Sequence, residues 1–90
     1  MGTYVRMIKP PTVEPHSTLG CTVRELRRAC GLSQDELAAR SALHRTYVRG
    51  IERGRRNPTY ASLARLARGL GVRPWELLRR ADQLAAEGDS

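Results

Sequence analysis

At 90 residues the chain is long enough for one compact core and too short for two, which leaves little room for the large buried pocket of most enzymes. Sixteen basic residues stand against nine acidic ones, a formal net charge of +7, and so strong a surplus on a small surface attracts polyanions, nucleic acid first. Fifteen of the sixteen bases are Arg and only Lys9 is Lys, which fits either planar bidentate contacts to phosphate and guanine or the codon bias of a GC-rich genome.

Residues 1–18 carry Pro10, Pro11 and Pro15 with little apolar periodicity, so they read as an arm outside the core. Its Arg6 and Lys9 either reach along a DNA groove or belong to an unstructured tail. From Leu19 onward, caps and periodicity predict five short helices and no strand, an all-α fold. The first runs from about Cys21 to Cys30, with Val23, Leu26 and Ala29 or Cys30 inward, and Gly31 suits its end. Ser33 caps the second, Glu36 completes a capping box, and Leu37 and Ala38 supply the buried face. The third, about Arg45 to Arg53, turns Val48 and Ile51 inward and Arg45, Thr46, Arg49 and Arg53 outward, and Gly54 ends it. After the breaker Asn57-Pro58, Thr59 caps a fourth helix with the stripe Leu63, Leu66, Ala67 and Leu70, which Gly71 closes. Pro74 suits the first turn of a fifth, whose apolar face of Leu77, Leu78, Ala81, Leu84 and Ala85 extends to about Glu87.

The chemistry of catalysis is missing from this pattern. His16 falls in the arm and His44 at a helix start, no glycine-rich turn cradles a phosphate, and no Asp, Glu or His set has metal-ligand spacing. Cys21 and Cys30 lack the partners of a zinc site, so no metal or cofactor is implied. Nine residues apart on one predicted helix, they sit about 13 Å apart along its axis, too far for a mutual disulfide, and read as reduced thiols. With no run of eighteen apolar residues and no signal-peptide pattern, the expectation is a soluble, cytoplasmic protein with no membrane partner.

The segment from Leu43 to Pro58 stands out. It places Arg45, Arg49, Arg53, Arg55 and Arg56 on one helix and the turn after it, with Glu52 the single acid. A solvated charged face is the ordinary reading of such a run. Against it stand the single sign of the charge and Gly50, which interrupts a helix at a cost of about 1 kcal/mol relative to Ala. The missing side chain implies a close approach, by DNA backbone or by a neighbouring helix.

Four pieces of the chain resemble one family: Gly31-Leu32-Ser33-Gln34-Asp35-Glu36-Leu37-Ala38, Ile51-Glu52-Arg53-Gly54, Asn57-Pro58-Thr59 and Gly69-Leu70-Gly71-Val72. In this order and spacing they look like the Cro/C1 (phage Cro and repressor) type of helix-turn-helix regulator, also called the xenobiotic-response-element class. The likeness covers about residues 19 to 78. His44-Arg45-Thr46-Tyr47 with Gly50-Ile51-Glu52-Arg53 is most similar to controller proteins of restriction-modification systems.

The resemblance implies a five-helix, lambda-repressor-like domain over residues 19–88 with a C-terminal helix extension, binding double-stranded DNA. The third helix would lie in the major groove. Arg45, Thr46 and Arg49 would face bases, with Arg45 on guanine and Thr46 on a hydroxyl-compatible edge or a thymine methyl. Gln34, His44, Tyr47, Arg53, Arg56 and Asn57 would hold backbone, although Gln34 also fits a plain surface residue and Tyr47 a ring packed on the flank. Arg27 and Glu52 would form a structural ion pair. Asp35 is either a contact for RNA polymerase or an acid serving the helix dipole. His44 departs from the Ser or Thr of many relatives, implying a looser helix start or an imidazole on phosphate. Surplus apolar residues on the fifth helix, with Trp75 near its start, imply a homodimer through helices 4 and 5, or an extension folded back on its own core. Two other functions fit the same residues: an antitoxin that binds a toxin and autoregulates, and a nucleic-acid binder without sequence choice, for which one Trp and three Tyr offer little stacking surface.

Overall fold

The structure, a computed structural model, describes residues 15–88. Among the described residues there are five helices and no strand: α1 Pro15–Ala29, α2 Gln34–Ser41, α3 Arg45–Glu52, α4 Tyr60–Leu70 and α5 Pro74–Gly88. Residues 1–14, with Arg6 and Lys9, lie outside the described residues.

The largest departure from expectation is the start of α1, at Pro15 and not near Cys21. Proline costs nothing in the first turn of a helix, where its missing N–H has no intrahelical partner. One turn on, the Thr22 hydroxyl donates to the Thr18 carbonyl at 2.8 Å, so two polar residues enter a buried stripe that a hydropathy pattern passes over. The inner face of α1 is therefore Leu19, Thr22 and Val23 with half-buried Leu26, while Ala29 and Cys30, one or the other expected inward, are both exposed. Both cysteines are free.

The caps follow from local chemistry. Ser33 Oγ accepts from the Glu36 N–H at 3.0 Å and Glu36 Oε1 accepts from the Ser33 N–H at 2.8 Å, a reciprocal pair that starts α2. Thr59 Oγ1 accepts from the Ser62 N–H at 3.1 Å and starts α4. His44 also caps: its Nδ1 accepts from the Thr46 N–H at 3.2 Å, so the imidazole substitutes for the Ser or Thr it replaces and the start of α3 is held. Between α2 and α3 the chain turns through Ala42 at φ 54°, and the Leu43 N–H reaches back to the Ala38 carbonyl at 3.0 Å. That left-handed turn is what sets the two helices of the motif apart.

Each helix sends at least one fully buried side chain to a common core: Val23, Leu37, Val48 with Ile51, Leu66, and Leu77. Removing such a side chain from water contributes about 1.5–3 kcal/mol each. Two glycines set the closest approaches. A Cβ at Gly20 would fall on the Ile51 carbonyl oxygen and within 2.9 Å of that of Glu52, so α1 crosses the end of α3 backbone to backbone. A Cβ at Gly69 of α4 would meet the Ser41 hydroxyl of α2, with Leu37 Cδ1 at 3.1 Å. The C-terminal helix folds back on α1, burying Ala81 and Ala85. Arg80 ties the two helices with bonds to Glu25 of 2.8 and 3.0 Å. Leu78, expected on the inner face, is instead 48% exposed.

Candidate nucleic-acid interface

Helix α3 is short and sharply two-sided. Val48 and Ile51 are wholly buried, while Arg45, Thr46 and Arg49 are exposed on the opposite side. Because Val48 and Ile51 are locked in the core, the rotation of the helix about its axis is fixed, and with it the direction of the exposed residues. Arg45 and Thr46 occupy the first turn, directly after the His44 cap. Arg53, Arg55, Arg56 and Asn57 follow, all exposed, in the turn that leads to α4.

That turn is wrapped against the helix and does not trail away from it. The Gly50 carbonyl accepts from the N–H of both Arg55, at 2.8 Å, and Arg56, at 3.2 Å. A Cβ on Gly50 would lie 2.5 Å from Arg56 Cγ. The close approach that Gly50 signals is thus made by the stem of Arg56: the space is filled from within the chain.

Glu52, the last residue of α3, anchors the helix from behind. Arg27 reaches it with Nε to Oε2 at 2.6 Å and a second nitrogen to Oε1 at 3.1 Å, and the same guanidinium donates to the Leu32 carbonyl at 2.8 Å. The expected ion pair is bidentate, with no solvent on the carboxylate. Burial alone would raise the Glu52 carboxyl, but the bonds from Arg27 and Gln34 and the charges of Arg27 and Arg24 outweigh it and hold the carboxyl below its ordinary range. The Arg27 guanidinium is shifted up in turn, chiefly by its bond to Glu52.

The other expected site residues fall in three positions. Gln34, the first residue of α2, gives one amide hydrogen to Glu52 Oε1 at 3.0 Å, so it links the two helices of the motif. Tyr47 lies half-buried with its ring packed against the core, the flank position that the sequence allowed. Arg45 leans on Asp35, 3.6 Å away with both side chains well exposed, a contact of little energy at such exposure. Sequence reasoning assigns no role to Arg24, whose guanidinium stands 3.7 Å from Glu52 Oε1. Its spacing, one turn before Arg27, is the available signal.

A second surface lies beside the start of α4. Tyr60, Trp75 and Leu78 are 71%, 57% and 48% exposed, and they border an open groove of about 700 Å³ floored by Leu19, Leu63 and Ala85. Among the described residues no three His, Cys, Asp or Glu stand together as a metal-binding group. No helix there is long and apolar enough to cross a membrane.

The sequence model of the helix-turn-helix family matches residues 23–77. Over 65 residues, 72% of this chain and 84% of the relative, the protein is 45% identical to y4dJ, an uncharacterised HTH-type transcriptional regulator of Sinorhizobium fredii (strain NBRC 101917 / NGR234). The crystal structure of the restriction-modification controller protein C.AhdI from Aeromonas hydrophila superposes with a TM-score of 0.68 at 47% identity, covering 69% of this chain and 94% of that one. The controller protein C.Esp1396I, solved as a tetramer in complex with its natural 35 base-pair operator, superposes with a TM-score of 0.75 at 31% identity, covering 82% and 97%. On the buried five-helix core, the fixed rotation of α3 and these likenesses together, the chain belongs to the helix-turn-helix family, with restriction-modification controller proteins among its homologues.

Proposed function

We propose that the protein is a sequence-specific DNA-binding transcriptional regulator, acting as a dimer on a near-palindromic operator, with control of a restriction-modification system as its niche. The observation that carries this reading is the pairing of exposed Arg45 and Thr46 on the first turn of α3 with Val48 and Ile51 locked behind them. Such a helix enters a major groove with its first turn at the base edges. Arg45 meets guanine O6 and N7, Thr46 a thymine methyl or a hydroxyl-compatible edge, and Arg49 a base one turn further on.

Around these readers, Gln34, His44, Tyr47, Arg53, Arg56 and Asn57 take phosphates. With Nδ1 of His44 accepting the cap bond, the ring hydrogen falls on Nε2, a donor facing outward at the positive end of the helix. Tyr60, Trp75 and Leu78 give α4 and α5 an apolar face for a second copy, and a two-fold axis there sets two recognition helices about 34 Å apart. DNA as partner places the protein in the cytoplasm. When Arg45 swings to a base, Asp35 is freed on the outer surface of α2, where it can meet RNA polymerase.

Selection of bound sequences from a random duplex library, followed by titration of the winner and a scrambled duplex at one salt concentration, tests the reading. Affinity for the selected duplex should exceed that for the scrambled one by roughly a thousandfold or more. Equal affinities overturn sequence-specific regulation. In the same assay Arg45→Ala should cost about 1–3 kcal/mol and relax preference at one base pair.

A further inference from the structure

We infer that Gly50 is a positioning residue for DNA binding: the bare backbone it leaves on the recognition helix is the seat on which the Arg56 side chain is laid toward the phosphates. The inference rests on the DNA-binding reading above and assigns to it a residue that itself touches no DNA.

Three observations place the seat. Gly50 lies four residues after Thr46, on the same side of α3, so a neighbour lodged over it is held one turn from a base-reading position. Its carbonyl takes the N–H groups of both Arg55 and Arg56, at 2.8 and 3.2 Å, so the backbone of the following turn is folded onto that spot. A Cβ there would stand 2.5 Å from Arg56 Cγ and 3.6 Å from both Cβ and Cδ. It would strike the middle of the stem, which cannot yield as a side-chain tip can. Any side chain at position 50 therefore turns the stem away, and the exposed guanidinium at its end goes with it. Glycine is a poor helix former, so its use in the last turn of an eight-residue helix is offset by the fixed course of Arg56. A long, flexible arginine loses less freedom on meeting phosphate when its stem is already lying in a groove.

The experiment compares the full chain with Gly50→Ala, Arg56→Ala and the double variant. Each is titrated from 50 to 200 mM salt against the duplex selected above and its scrambled counterpart, with thermal unfolding alongside. Gly50→Ala should weaken binding about tenfold, equally for both duplexes, and about as much as Arg56→Ala. The double variant should bind no more weakly than Arg56→Ala alone. The slope of log affinity against log salt should become shallower by about 0.9 for each phosphate that is no longer neutralised. The melting temperature of Gly50→Ala should hold or rise, because Ala is the better helix former. A merely structural glycine would lower stability and affinity together. If Gly50→Ala does not fold, restoration of folding by the added Arg56→Ala supports the seat, and failure to restore it overturns the inference. Wild-type affinity and slope in Gly50→Ala, or independent losses that multiply in the double variant, overturn it as well. If the wild-type chain binds neither duplex, the DNA-binding reading falls and takes this inference with it.

Discussion

Glu52 sits where a carboxylate is least welcome: at the last residue of α3, near the negative end of the helix dipole, with its side chain closed to solvent. It stays charged because two nitrogens of Arg27 and the amide of Gln34 all point at it. A buried pair of this kind is weak evidence of net stabilisation, yet removing one partner strands the other and costs about 3–5 kcal/mol. Glu52→Gln should therefore lower the unfolding free energy by about 3 kcal/mol in denaturant titration, and a loss under about 1 kcal/mol would mean that water already reaches Arg27. The carboxyl is held below its ordinary value in the fold, so it binds protons more readily once unfolded. Its contribution is fully present above the ordinary carboxylate range and is lost as pH falls through the lowered folded value. Wild-type stability should fall on acidification more steeply than that of Glu52→Gln, with Glu25 and Glu36, also lowered, supplying the acid loss common to both. Parallel pH profiles for the two proteins would show that Glu52 is not held low.

At the scale of the helix, what the sequence disclosed was whatever is decided within four residues. Ser33 with Glu36, Thr59 with Ser62 and Gly71 after Leu70 form their caps with neighbours, and α2 to α5 start and stop close to where those residues put them. The start of α1 escapes the pattern because Pro15 looks like arm, and Thr18 looks polar until its carbonyl takes the Thr22 hydroxyl within the buried face. Arg27 and Gln34 converge on a residue far along the chain: the family likeness alone disclosed the Arg27–Glu52 pair, and nothing in the spacing disclosed the bond from Gln34. Ala42 carries no mark at all of its left-handed turn, since Gly or Asn would be the usual signal there. Gly20 is the clearest case of a residue whose reason lies elsewhere: only the carbonyls of Ile51 and Glu52 explain it. Gly20→Ala should destabilise the domain by about 2 kcal/mol, because the overpacking cost of about 1–3 kcal/mol exceeds the helix propensity gained. The obstacle is backbone and cannot rotate aside. An increase in the denaturant midpoint on this substitution would show that α1 and α3 do not meet so closely.

For the whole molecule, two forces act in opposite directions on two surfaces. The formal charge of +7 draws the Arg-rich face of α3 to DNA and repels one copy of the chain from another. Association of two copies therefore has to come from apolar contact, and the candidate face is the one around Tyr60, Trp75 and Leu78. Helix α5 reconciles the two readings of its length: Ala81 and Ala85 fold it back on α1, while Trp75 and Leu78, along the same groove, remain exposed. Added salt screens the repulsion between copies, with a Debye length of about 10 Å at 0.1 M, and at the same time weakens the grip on phosphate. Sedimentation equilibrium without DNA should thus show the dimer strengthening from low to moderate salt, while operator affinity falls over the same range. Leu78→Asp separates these effects. The residue is half exposed, so a carboxylate there should leave the unfolding midpoint nearly unchanged, yet buried against a second copy it would stand unpaired in an apolar contact. The variant should sediment as a monomer at concentrations where the wild type is dimeric. It should also lose at least tenfold in operator affinity, because the second half-site no longer binds as part of one body. Sedimentation and operator affinity both equal to wild type would move the two-fold axis off α5, and with it the 34 Å spacing expected between the recognition helices.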